Sequence, residues 1–92
     1  MISLDFRGSY TEQAFCLIIA QALKLPAAAD IHAALRQLIG FSLAEVQITW
    51  HDFHGTQVGP LGADGMGEQL RAAAQKNARL RLVFYDEERG GQ

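Results

Sequence analysis

The stretch that decides the fold is "VQITWH", Val46–His51. Val46, Ile48 and Trp50 alternate with Gln47, Thr49 and His51, the two-residue period of a strand that buries one face. Upstream the apolar period lengthens to three or four residues. Phe15, Ile18, Ile19, Ala22 and Leu23 mark an amphipathic helix over 12–24, and Ile31, Ala34, Leu35 and Leu38 mark a second over 30–39. Downstream, Met66, Leu70, Ala73 and Ala74 give a third helical stripe between Asp64 and Asn77. Outside the helices, "ISLDFRG" (2–8) and "RLRLVFYD" (79–86) return to alternation. The order is therefore β-α-α-β-α-β. Strands separated by helices of this length pair in parallel through right-handed crossovers. Three such strands, each with one polar face, predict a two-layer α/β domain.

Local signals set the boundaries. Gly8 ends the first strand. Thr11 is placed to cap the first helix, and Ser9 with Glu12 has capping-box spacing. Leu25-Pro26 should stop that helix, because proline disfavours helical backbone in the residue before it. Asp30 is an N-cap for the second helix, and Gly40 stands where a left-handed residue often closes one. Asp64 is positioned to cap the third helix, whose first turn Gly65 and Gly67 weaken by roughly 1 kcal/mol each. "HDFHGTQVGPLGADG" (51–65) reads as a long loop. One domain is expected over 1–86, with a polar, glycine-ended tail over 87–92.

Composition narrows the function. Net charge is −2 and the eight Lys and Arg residues are scattered, which argues against nucleic acid, since phosphate binding needs clustered cations. Cys16 is the single cysteine, so no internal disulfide forms, and a reducing cytoplasmic setting is expected. "MISLDFRG" lacks the basic start and apolar middle of a signal peptide. No apolar run reaches about 18 residues, so no membrane span is expected.

Motifs that could carry chemistry are incomplete. His51, Asp52 and His54 are metal-ligand types, but a zinc site needs three or four in convergent geometry. Cys16 sits in "AFCLIIA", where an apolar setting makes a thiol inert. "GPLGADGMG" lacks the P-loop lysine, and Asp64 at a helix start would repel a phosphate. Trp50 reads as packing, and Arg79 and Arg81 as two solvated positions on one face of the last strand. No cofactor, no metal and no catalytic group is expected.

The remaining segment is "LPAAADIHAAL", Leu25–Leu35. It joins two apolar helices with three alanines, an acid and an imidazole. His32 and Arg36, four apart, can share an exposed helical face, with Gln37 close by. In the strand ending in Gly8, "TEQAF", "LKLP", "AALRQLIG", "VQITW" and "LRLVFYD", in that order, the chain resembles the barstar family, the small inhibitors of bacterial ribonucleases. The resemblance implies the β-α-α-β-α-β fold and a protein-binding inhibitor or immunity protein that docks its second helix and the preceding junction over a toxin's active site.

The departures fall on the binding residues. After the proline the family carries two aromatics, a glycine and an asparagine. This chain has Ala27, Ala28, Ala29 and Asp30, in a junction about one residue shorter. The family's two ribonuclease-facing acids on the second helix align with Ala33 and Gln37, and a third with the small residues around Ala72. Buried interfacial acids can each be worth several kcal/mol, so a typical basic ribonuclease cleft is not the expected target. The resemblance implies a partner surface of Ala28, Ala29, Asp30, His32, Ala33, Arg36 and Gln37. The partner is expected to be a protein, with the chain itself a monomer or weak homodimer. One rival is a structural or regulatory interaction domain of the same fold; the other is an enzyme, which would need a pocket joining His51, His54 or His32 to an acid.

Overall fold

A computed structural model describes residues 1–85. The expected tail from 87 lies outside them. Eight elements follow one another: β1 (Ile2–Arg7), α1 (Glu12–Leu23), α2 (Ile31–Gly40), β2 (Val46–His51), β3 (Gln57–Val58), β4 (Leu61–Gly62), α3 (Ala63–Lys76) and β5 (Leu80–Phe84). The three longer strands form a parallel sheet in the order β1-β2-β5. Three helices and a three-stranded parallel sheet were legible in the sequence. The short antiparallel pair β3-β4 was not, and it folds part of the expected loop.

Register explains the two layers. Ile2, Val46 and Leu80 stand side by side, as do Leu4, Ile48 and Leu82, and Phe6, Trp50 and Phe84. These nine side chains make the covered face. Ser3, Asp5 and Arg7 with Gln47, Thr49, His51 and Arg81 make the open one. Both crossovers step in the same direction across the sheet, so right-handed connections carry every helix to one side. Phe15, Ile19 and Leu23 of α1, Ile31, Ala34, Leu35 and Leu38 of α2, and Met66, Leu70 and Ala73 of α3 are buried in one core with it.

Trp50, on the central strand, is wholly buried. Its ring stacks on Phe6 at 4.4 Å, and Tyr10 and Phe53 meet it edge-on. The indole N–H donates to the Gly8 carbonyl at 3.0 Å, so the one polar atom of this buried ring is satisfied. The β3-β4 pair is tied to the start of α1: Tyr10 and Gln57 bond through the backbone, and Gln57 N donates to Ser9 Oγ. Gly59 turns there with φ +56, and a Cβ would meet the Glu12 Cβ at 3.0 Å, so only glycine fits.

Several boundary signals resolve differently from the sequence reading. Helix α1 closes before Pro26 acts: Lys24 adopts the left-handed conformation (φ 59, ψ 46) and Leu25 N donates back to Ala20 O. Ser9 and Glu12 form no capping box; Thr11 alone caps α1, accepting from Ala14 N. Gly40 is the last helical residue of α2 and is not left-handed. Asp64 lies in the first turn of α3, whose N-cap is Gly62 without a side-chain bond. Arg79 precedes β5, so only Arg81 lies on the strand. No helix among the described residues is long and apolar enough to cross a membrane.

Candidate functional site

Two contacts fix how the Ala-rich junction runs. At one end Glu12, first residue of α1, accepts a bond from Ile31 N, first residue of α2, at 2.9 Å. At the other, Gln37 in the last turns of α2 donates Nε2 to Pro26 O, just past α1, at 2.8 Å. The two helices therefore run side by side in the same sense. Residues 24–30 must return along them as an extended strap, from the C-terminal ends to the N-terminal ends.

The strap is anchored but open. Leu25, Pro26, Ala27, Ala29 and Asp30 are exposed, and Ala28 is half-buried against the core. Asp30 Oδ1 accepts from Ala33 N at 2.8 Å, confirming it as the N-cap of α2. With Glu12 on Ile31 N, two carboxylates occupy the N-terminal amides of α2 and meet its positive dipole end. Of the sequence-predicted residues, His32 and Arg36 are exposed on one side of α2, whereas Ala33 and Gln37 are half-buried. Gln37 serves the strap, and its Oε1 is buried without a hydrogen-bond partner. Its amide orientation follows from the Pro26 carbonyl, which can only accept.

Two depressions flank the strap. A groove of about 550 Å³ lies between α1 and the alanines, lined by Glu12, Gln13, Cys16, Leu17, Ala27 and Ala29 among others. Another of about 310 Å³ lies at the opposite end, between Leu25, Arg36, Gln37, Gly40, Phe41 and Leu43. Leu17 (42% exposed), Leu25 (38%) and Leu43 (87%) border these depressions, and all three are large apolar side chains facing water. Sequence reasoning missed Leu17 and Leu43. Leu43 follows α2 in a short connection where no periodicity marks it, but Leu17 was findable as an apolar residue off the inner stripe of α1.

Of the other sequence candidates, Cys16 lines the groove beside the strap, and the rest line neither depression that flanks it. His51 stacks on Tyr85 at the sheet's end, and Asp52 takes a 3.2 Å ion pair from Arg7. Among the described residues no group of three or more His, Cys, Asp and Glu is placed to hold a metal ion. Cys16 is buried under the alanines, and burial, then the Glu12 and Asp30 carboxylates, push its thiol pKa up. Ala72, aligned with a third family acid, is exposed on α3 beside Glu68 and Arg71, in a separate depression from those of the strap. No family model, no curated protein and no solved structure matches this chain.

Proposed function

We propose that the chain is a small protein-binding module that docks its strap and the outer face of α2 onto another protein, acting sterically in the manner of barstar, as an inhibitor or immunity protein. The observation that carries this reading is the coincidence of three features on one surface. Its backbone is pinned at both ends by Glu12 and Gln37, its large apolar residues are exposed, and its charges are few. Pinning lowers the ordering cost of association, and exposed apolar side chains at low charge density are what interface centres carry. The absence of acids at Ala33 and Gln37 argues for a target other than a barnase-type ribonuclease.

The test uses the full chain as bait in its own host's lysate, followed by an activity assay of any recovered enzyme. Stoichiometric loss of that enzyme's activity is expected. His32→Ala and Arg36→Ala should weaken it, and Asp30→Asn keeps the cap while removing the charge. Recovery of a partner whose activity is untouched favours the second reading, a regulatory interaction domain, for which the same exposed leucines speak. Binding unchanged in all three variants moves the interface elsewhere. A barnase-type ribonuclease should not be inhibited.

A further inference from the structure

We propose that the partner of this face is acidic: a protein segment whose apolar side chain seats between Leu25 and Leu43 while a neighbouring carboxylate meets Arg36. The inference rests on the docking reading and deepens it by naming the partner's chemistry.

Charge makes the argument. Among the described residues, Arg36 is the one charged side chain that lines the groove of Leu25, Phe41 and Leu43, and the nearby acids Glu12 and Asp30 are engaged on the amides of α2. Asp30 already faces the amides of α2 through its cap bond, whereas Lys24, His32 and Arg36 are exposed. The whole chain is net negative, so this face departs from the molecule that bears it. The next acid, Glu45, is exposed at the entry of β2 and does not line the groove. Arg36 lines the same groove as Leu25, Phe41 and Leu43, so cation and apolar seat are adjacent. Gly40 leaves that groove without a wall, since nothing lies within 4 Å of where its Cβ would be. A second copy placed face to face would set Arg36 against its own counterpart, with Glu12 and Asp30 already engaged on the amides of α2.

The test selects a displayed library of random 12-residue peptides on the immobilised full chain, then titrates the enriched peptide into the 15N-labelled protein. The expected pool is net negative, with Asp or Glu beside a large apolar residue, and its amide shifts fall within residues 24–43. Arg36→Glu should weaken the enriched peptide by about tenfold or more, as loss and reversal of one interfacial ion pair implies. Gly40→Trp should block binding by filling the groove; its Cβ position is open and its backbone is not left-handed, and circular dichroism checks that the variant folds. A neutral or basic pool bound at residues 24–43 overturns the acidic partner and leaves the docking reading standing. Shifts confined to the open sheet face overturn both. No enrichment, or self-association that Gly40→Trp abolishes, overturns the proposal.

Discussion

Asn77 does by itself what the sequence assigned to Gly40. Its Nδ2 donates to the Leu38 and Phe41 carbonyls at 2.8 and 2.9 Å, and its Oδ1 accepts from Arg79 N. The last turn of α2 is thereby closed by a side chain from the end of α3, so no left-handed glycine is required there. A partner 36 to 39 positions away leaves no trace in local sequence. Asn77→Ala should cost about 2–3 kcal/mol, because buried carbonyls lose their donors; urea denaturation measures it. Lys24 shows the opposite error: a left-handed residue exists where no glycine announces it. Lys24→Gly should stabilise the chain by about 1 kcal/mol, read as a raised denaturation midpoint. Cys16 was read correctly as a buried thiol. Its pKa stands above the ordinary 9.0. The unfolded chain then ionises first, so the contribution to stability is whole below that pH and declines as pH rises through the folded value. The stability difference between wild type and Cys16→Ala should therefore shrink from pH 8 to pH 10.

Among the elements, α1, α2 and the three long strands were visible because each repeats its period often enough to outweigh accidents of composition. The β3-β4 pair has two residues on each side and no period to detect. It exists because Val58 is buried and Gly59 and Gln57 bond the Ser9–Tyr10 segment, contacts made only after the chain has closed on itself. Helix α2 divides in the same way. Asp30 was legible as its cap, being adjacent, whereas Glu12 was not, lying 19 positions earlier on another helix. Glu12→Ala and Asp30→Ala should each cost about 1 kcal/mol as lost N-terminal partners of one helix. If only Asp30→Ala lowers the thermal midpoint, the Glu12 bond contributes nothing and the strap is anchored from one side alone.

At the scale of the whole molecule, the sheet's stability is concentrated in β2, paired on both edges. Ile48 is fully buried at its middle. Ile48→Ala should cost about 3–5 kcal/mol, a large part of what a domain of this size possesses, and chemical denaturation should show partial unfolding before denaturant is added. The parallel architecture was legible because helix lengths between strands forbid hairpins. Surface function leaves no such mark, because side chains facing water are unconstrained by the core that periodicity reports. The return path of residues 24–30 also limits how this protein can change. Helix α2 rises about 15 Å over its ten residues. A seven-residue strap reaches about 23–25 Å at full stretch, each residue adding about 3.3–3.6 Å. Ala27, Ala28 and Ala29 can be rewritten without moving the helices, but deleting all three leaves four residues that reach about 13–14 Å, too short to run back beside α2. The strap can drift in spelling more freely than in length.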